Sequence, residues 1–552
     1  MSDRWVTSVL QSYEGDNRFS HGYVDADGRL TKLSRSELLT AVQRCASGFT
    51  AAGLRTGDRL ALVAGEARSF APAFLGAIWA GLVPVPVPPP PALGRREQWR
   101  GALDRALAVV EPRVLFAPET VLPLLSGASA HPMAYEALES AAIQSCAPAA
   151  YRPDRIAYLQ FSSGSTGFPR AVASTAESVT ANGLAIMRHG LAADPERDHA
   201  ISWLPLHHDM GLVGFLLAPL TVGLPASFLS PWSFVRDPGV WMRTLSEAGG
   251  TISFAPNFAF GLAARRVHPE RLTGLDLSRV RVLGCGGEPV NASTLARFAE
   301  AYAPLGLDPA ALMPCYGLAE STLAVTFARR GTIPRPDRVS QRTLLGADRA
   351  VPAADGEAAV EVVNCGRAFP GHEVAVFDAE ENPLPDRSVG EVWARGPSVA
   401  RGYEGEPEAT STTFRTDGWL RTGDRGYLVD GMLHLSGRLK DVLVVNGQNI
   451  DPQRIEWLVE SLEGVRAGGV VAFSCPGADT EEVVVIAECH TVATRDLGDG
   501  VRRIVGESLP LSVGRTVAVR PGTIARTTSG KPQRQEMRRR YLAGQLPQYT
   551  PA

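Results

Sequence analysis

The sequence predicts an α/β protein: a large N-terminal domain of layered sheets and helices, followed by a small α+β C-terminal domain. Three observations lead there. Helical patterns alternate with short apolar strands through the first 204 residues, which is the rhythm of sheets covered by helices. The chain has 552 residues, more than one hydrophobic core usually supports. Beyond residue 450 the pattern becomes one helix and two strands, at 451 to 462, 469 to 473 and 482 to 489, a small unit of its own.

Taken in order, residues 36 to 53 (SELLTAVQRCASGFTAAG) alternate apolar and polar positions at helical spacing and stop at Gly53, which suits the end of a helix. Arg59-Leu60-Ala61-Leu62-Val63 then reads as a buried strand. Helix followed by strand recurs over residues 70 to 86, 98 to 116 and 176 to 204, and no internal repeat is evident. Residues 210 to 229 carry no charge and are long enough on paper to span a bilayer. Pro219 and Pro225, with Gly211, Gly214 and Gly223, instead divide them into a short helix, a turn and a strand buried in the large domain. The same holds for residues 70 to 87, an apolar helix through Ile78-Trp79-Ala80, then a strand, then the Pro88 to Pro91 stop. Membrane insertion is not expected.

An apolar content of 45% and a net charge of -3 exclude wholesale disorder and give no reason to expect a polyanionic partner such as nucleic acid. The seven cysteines, at 45, 146, 285, 315, 365, 475 and 489, are scattered without a C-x-x-C pair, which fits a reduced, cytoplasmic setting. The opening MSDRWVTSVL lacks the basic start and apolar core of a signal peptide.

The chain is organised around LQFSSGSTGFPRAV, residues 159 to 172. An apolar run feeds two serines, glycine, serine, threonine and a second glycine, so that Ser162, Ser163, Gly164, Ser165, Thr166 and Gly167 can offer hydroxyls and backbone N–H groups to phosphate oxygens. A plain Ser/Gly turn between strands is the alternative. A Walker A loop is excluded because no Lys follows Gly167, and a nucleophile elbow because Ser163 stands where glycine is required. In WLPLHHDMG, residues 203 to 211, the adjacent His207, His208 and Asp209 have no further ligand at a metal-binding spacing. Gly284-Cys285-Gly286-Gly287-Glu288-Pro289 follows a strand at 280 to 283, and such a glycine-rich strand end lets backbone approach a flat ligand. In Cys315-Tyr316-Gly317-Leu318-Ala319-Glu320-Ser321-Thr322, Tyr316 offers a ring to stack on a base and Glu320 a hard oxygen for Mg²⁺. Asp424 can accept hydrogen bonds from two ribose hydroxyls at once. Lys531, on a Ser-Gly turn near the end of the chain, can be swung in and out of a site.

Together these motifs resemble the adenylate-forming superfamily of acyl-CoA synthetases, adenylation domains and luciferase, and within it fatty acyl-AMP ligases. The resemblance runs from about residue 30 to 545. The family's phosphate loop ends in Pro-Lys-Gly where this chain has Pro169-Arg170-Ala171, so the positive charge is kept as a forked guanidinium. The resemblance implies that the segment 162 to 170 binds ATP phosphates and that Gly286, Gly287, Glu288 and Pro289 contact the base with Tyr316 and Gly317. It also implies that Arg438 supports ribose or α-phosphate beside Asp424, that Glu320 holds Mg²⁺, and that Lys531 contacts carboxylate and α-phosphate. His208, Asn257, Leu318 and Ala319 are implied to border the acyl substrate, the last two being the fatty acyl-AMP ligase form of the motif. Lys440 occupies the family's hinge, which divides the chain into an N-terminal adenylation domain, 1 to 437, and a mobile C-terminal lid, 438 to 552. An insertion near 330 to 363, before Asn364-Cys365-Gly366-Arg367, is implied to hinder the lid from adopting a CoA-binding pose. Arg534, Arg538, Arg539 and Arg540 read as a solvated helical face or as contacts for an acidic carrier protein.

The expected function is ATP- and Mg²⁺-dependent activation of a carboxylic acid, fatty or otherwise hydrophobic, to acyl-AMP, with transfer to the phosphopantetheine thiol of a separate acyl carrier protein. The alternatives are an acyl-CoA synthetase and a non-catalytic adenylate-binding protein.

Overall fold

The computed structural model describes residues 5–12, 20–25, 28–91, 96–144, 147–162, 170–266, 272–445, 448–476, 481–490, 497–509, 511–527 and 530–547. The helix expected at 36 to 53 spans Arg35–Ala51. The Ser34 side chain accepts from the Glu37 N–H and Glu37 reaches back to the Ser34 N–H, a reciprocal cap worth about 1 kcal/mol. Gly53 follows it at φ +80°, the left-handed conformation a helix end favours.

Two sheets build the body. The larger has nine strands in the order Arg367–Ala368, Ala324–Phe327, Leu312–Gly317, Val282–Cys285, Ile252–Ala255, Ala200–Ser202, Ala226–Leu229, Ser20–Val24 and Leu30–Ser34. Its middle is parallel and only its edges are antiparallel. The smaller is all parallel, in the order Val83–Val87, Arg59–Val63, Val114–Ala117 and His131–Ala134. Parallel strands need crossovers, and helices such as Ala67–Ala80 and Arg96–Val110 supply them. The strand Ile156–Ser162 pairs antiparallel with Arg170–Thr175, and Leu159, Ala171 and Ala173 pack into the core of the smaller sheet.

The uncharged stretch beginning at Met210 is buried as expected. Asp209–Gly211 and Leu212–Leu217 run into Ala218–Val222, Gly223 turns the chain at φ +74°, and Ala226–Leu229 enters the large sheet. Among the described residues no helix is long and apolar enough to cross a membrane.

A four-stranded antiparallel sheet closes the body: Glu373–Phe377, Gly390–Arg395, Trp419–Val429 and Met432–Arg438. After Arg438 the chain turns through exposed Lys440 into a hairpin of Leu443–Val445 and Gln448–Ile450. There follow the helix Pro452–Glu460 and a three-stranded sheet of Val465–Pro476, Glu481–Cys489 and Val513–Val519. The last of those strands and the helix Leu497–Ser508 were not foreseen, while the helical pattern of Arg534, Arg538, Arg539 and Arg540 falls in the helix Arg534–Leu542.

The insertion is ordered. Pro336–Ser340 pairs antiparallel with Ala359–Val363, and the helix Gln341–Gly346 lies between them. Leu345, 3% exposed, belongs to the core of the C-terminal unit with Leu443, Val445 and Ile450. Gln341 Nε2 donates to the Ser508 carbonyl at 3.1 Å. Asp348 pairs with buried Arg425 and accepts from the Asn449 amide at 3.2 Å.

Candidate active site

Charged groups at the carboxyl ends of the parallel strands, on the antiparallel sheet and at the C-terminal turn of Lys531 lie within electrostatic reach of one another. Strand Trp419–Val429 places Asp424 opposite Arg438 of the next strand. Arg438 Nε donates to Asp424 Oδ1 at 2.9 Å and the Tyr316 hydroxyl donates to Oδ2 at 2.7 Å. The Asp424 N–H is held by Thr422 Oγ1 at 3.1 Å. Burial pushes the Tyr316 phenol well up, and the Asp424 charge adds to that. The same carboxylate raises the Arg438 guanidinium. This corner is a fixed carboxylate between an aromatic ring and a cation, the equipment for a ribose and its base.

Glu320 lies on the single turn Ala319–Ser321. Thr322, just beyond, is held at φ +63°, an uncommon conformation for a β-branched residue, and its hydroxyl donates to the Ser398 carbonyl at 2.8 Å. The Tyr403 hydroxyl donates to Glu320 Oε1 at 2.9 Å. The segment 400 to 404 is bonded through its backbone to Ala171 and Ala173, so Glu320 and the Arg170 strand form one rigid block. Arg170 turns onto Glu406, Nε to Oε2 3.2 Å, with its guanidinium 5.0 Å from the centre of the Tyr403 ring. Ser162 pairs with Arg170 across the hairpin, while Ser163, Gly164, Ser165, Thr166 and Gly167 lie outside the described residues.

The floor is made by the strand end after Cys285. A side chain at Gly286 would meet Cys315 Sγ at 2.6 Å, and one at Gly287, whose φ is +77°, would meet Met210 Sδ at 2.8 Å. Glycine is required at both positions. Glu288 Oε1 accepts from the Phe258 N–H at 2.6 Å, and burial raises its carboxyl. The Asn257 side chain accepts from the Asn291 N–H at 3.0 Å, which fixes the loop beside Pro289. His207 and His208 sit ring to ring at 4.3 Å, and the His207 carbonyl accepts from Gln160 Nε2 at 3.1 Å. Burial also raises the Asp209 carboxyl. Leu318 and Ala319 are partly buried, Leu318 against Tyr316 and Ala319 against Tyr403.

Lys531 comes from the C-terminal unit. Its N–H is held by Thr527 Oγ1 at 3.1 Å and its carbonyl accepts from the Thr527 N–H at 2.8 Å, with Gly530 at φ +85° in the turn. Burial lowers the ammonium pKa and repulsion from Arg438 lowers it further, against the opposing pull of Asp209, Glu288 and Asp424. The charges that oppose the fall come from three separate segments of the body.

A nucleotide and Mg²⁺ can be tested against these groups. Among the described residues there is no cluster of three His, Cys, Asp or Glu that could hold a metal by themselves. Mg²⁺ with nucleotide phosphates needs only one or two protein carboxylates, and Glu320 is one, reached by Tyr403 on a single oxygen.

Two features contradict or extend the sequence reading. Arg534 is not on a solvated face: it is bonded to Glu456 at 2.7 Å, Asp441 at 2.9 Å and Gln453 at 3.0 Å. A cation at the start of that helix was needed to neutralise Glu456, whose side chain is 1% exposed. Arg539 and Arg540 pair with Glu536, and Arg538 donates to the Ser474 carbonyl. The pairing of Tyr403 with Glu320 was missed because it joins residues far apart in sequence.

Comparison with known proteins agrees with this geometry. Residues 16–404 match the family described as AMP-binding enzyme. A Caulobacter vibrioides protein named as an acyl-CoA synthetase is 36% identical, over 90% of this chain and 87% of its own. Long-chain-fatty-acid--AMP ligase FadD26 of Mycobacterium marinum is 34% identical over 98% of both chains. A structure from a study of fatty acyl-adenylate ligases of E. coli and L. pneumophila superposes with a TM-score of 0.92 at 34% identity, covering 98% of both chains.

Proposed function

The chain belongs to the AMP-binding enzyme family, and from that premise we propose that it activates a hydrophobic carboxylic acid with ATP to acyl-AMP and passes the acyl group to the phosphopantetheine thiol of a separate carrier protein. The observation that supports the reading is the Asp424 carboxylate held between the Tyr316 hydroxyl and the Arg438 guanidinium, with the charge of Lys531, from the C-terminal unit, felt at the same carboxylate. In this reading residues 1 to 437 form the adenylation domain and 438 to 552 the lid, with Lys440 at the hinge.

The chemistry is attack of the acid's carboxylate on the α-phosphorus of ATP, with pyrophosphate leaving. The protein's part is positioning and charge stabilisation. Asp424 orients the ribose, Tyr316 and the Gly286 to Pro289 backbone hold the base, and the segment 162 to 170 would bind the departing phosphates. Mg²⁺ held by Glu320 would neutralise charge developing on pyrophosphate. Lys531 stabilises the negative oxygens of the reacting carboxylate and α-phosphate. His208, Asn257, Leu318, Ala319 and the apolar residues 210 to 229 border the acyl group. A fatty acid fits that lining, as does a bulky cyclic or aromatic acid.

A second acceptor is suggested by the name of the Caulobacter relative, which would make the product acyl-CoA. The insertion favours the carrier protein, because Leu345, Gln341 and Asp348 tie the lid to the body in the present pose. A pyrophosphate-release screen across carboxylic acids, repeated with CoA and with a holo carrier protein, tests both. We expect release with apolar acids and acyl transfer to the carrier; no release with any acid overturns the activation step, and efficient transfer to CoA overturns the choice of acceptor.

A further inference from the structure

We propose that Arg170 is a positioning residue for Glu320: it grips the Tyr403 ring and the Glu406 carboxylate, so that the Tyr403 hydroxyl holds one oxygen of Glu320 and leaves the other for Mg²⁺. The inference rests on the acyl-AMP reading above, and it reassigns one residue of the segment 162 to 170 from the phosphates to the metal carboxylate.

Strand direction decides where the arginine goes. Side chains alternate between the two faces along Arg170–Thr175. Ala171 and Ala173 pack into the core of the smaller sheet, so Arg170 and Val172 face the other way. Val172 is bridged antiparallel to Tyr403 and packs in one small core with Tyr403 and Ala400. Arg170 reaches the same group: its guanidinium lies 5.0 Å from the centre of the Tyr403 ring, and its Nε is 3.2 Å from Glu406 Oε2.

Tyr403 has little freedom left. Its N–H donates to Thr410 Oγ1 at 2.9 Å and its carbonyl accepts from the Glu406 N–H at 3.3 Å. The residues on either side are bonded to the Arg170 strand, the Ala173 N–H to the Gly402 carbonyl and the Glu404 N–H to the Ala171 carbonyl, and Glu404 also pairs with Arg59. Backbone bonds leave the ring's own torsions open, and Arg170 over the ring with Phe414 edge-on at 5.3 Å settles them. The hydroxyl then donates to Glu320 Oε1 at 2.9 Å, while the Glu320 carbonyl accepts from the Ala400 N–H at 2.9 Å. Burial and the Glu320 charge raise the Tyr403 phenol, which keeps it a donor. A partner that orients a metal-binding side chain is worth about 10- to 100-fold in metal affinity.

The role calls for a guanidinium. Its edge can donate to Glu406 while its flat face lies on the ring, whereas an ammonium is a compact, strongly hydrated point charge. Held in this way, the Arg170 charge is already shared with Glu406 and offers less to a polyphosphate than a free arginine would.

Full-length R170A, R170K, Y403F and R170A/Y403F test this through two binding measurements that need no turnover. ATP affinity without metal is read by isothermal titration in EDTA, and Mn²⁺ affinity by electron paramagnetic resonance with protein in excess over ATP. We expect metal-free ATP affinity within about twofold of the wild type in every variant. Mn²⁺ affinity should be about 10-fold weaker in R170A, R170K and Y403F, with no further loss in the double variant. In pyrophosphate release the same variants should need about 10-fold more Mg²⁺ for half-maximal rate, with KM for ATP unchanged at saturating Mg²⁺. An arginine bonded to the phosphates gives another pattern: R170A loses metal-free ATP affinity by about 10-fold or more, R170K restores it, and the effects of R170A and Y403F add. That pattern overturns the proposal, as does a wild-type Mn²⁺ affinity in R170A. If the wild type releases no pyrophosphate with any acid, the acyl-AMP reading fails, and the two binding measurements still decide what Arg170 does.

Discussion

Lys531 combines a depressed pKa with the opposing pull of three carboxylates, and both follow from enclosure. Burial disfavours its charge and Arg438 adds to that, while Asp209, Glu288 and Asp424 oppose the fall. A protonated lysine in a partly desolvated site is worth much more to a developing negative charge than one in water. K531A should therefore lower acyl-AMP formation by about 10²- to 10³-fold, measured as pyrophosphate release, while the circular dichroism spectrum and thermal midpoint stay those of the wild type. Adenylation at the wild-type rate would remove the lysine from the reaction. Much of this corner is legible in the sequence, because Gly286-Gly287, Tyr316, Asp424 and Lys531 sit in short local patterns with local reasons. The partners are not. Tyr403 and Glu320 are 83 residues apart and Arg425 and Asp348 are 77 apart, and no periodicity announces pairings made by the fold.

At the scale of elements, the insertion matters most. Its strands could have been a loose surface loop, which would have cost little entropy. They pair with each other instead and present a helix whose Leu345 is a core residue of the neighbouring unit. The sequence shows the extra length but not this contact, since a leucine on a short helix is as easily explained by local packing. Truncating a buried leucine costs about 2–5 kcal/mol, and here the loss falls on the contact between insertion and lid. Leu345→Ala should leave pyrophosphate release within about twofold, as expected of a residue outside the site, and should raise acyl transfer to CoA relative to carrier. The CoA-to-carrier product ratio measures this; a ratio unmoved in Leu345→Ala and in a Leu345→Ala, Asp348→Ala pair would show that the insertion does not restrain the lid.

For the molecule as a whole, the lid movement proposed above would depend on what closure buries. Besides Lys531, the lid carries Glu460, the last residue of the helix Pro452–Glu460, whose charge is felt by Arg265 at the end of Asn257–Arg265 in the body. Burial raises the Glu460 carboxyl to about 7, with the Gly468 backbone and Arg265 pulling the other way and Glu456 and Glu288 adding to the rise. An acid whose pKa rises on burial binds its proton more tightly in the closed state. Its contribution to closure is therefore complete below the ordinary glutamate range and is lost as pH climbs through about 7. Lys531 acts in the opposite direction, since burial lowers its pKa and the closed state therefore holds its proton less tightly. Between pH 5 and 8, then, Glu460 is the group expected to loosen the lid of the apo protein, on the basis of its value of about 7. Small-angle scattering and tryptic cleavage at the exposed Lys440 turn should report a more open molecule at pH 8 than at pH 5. Glu460→Gln, neutral at both, should stay as closed at pH 8 as at pH 5. A variant that opens with pH just as the wild type does would assign the transition to another group.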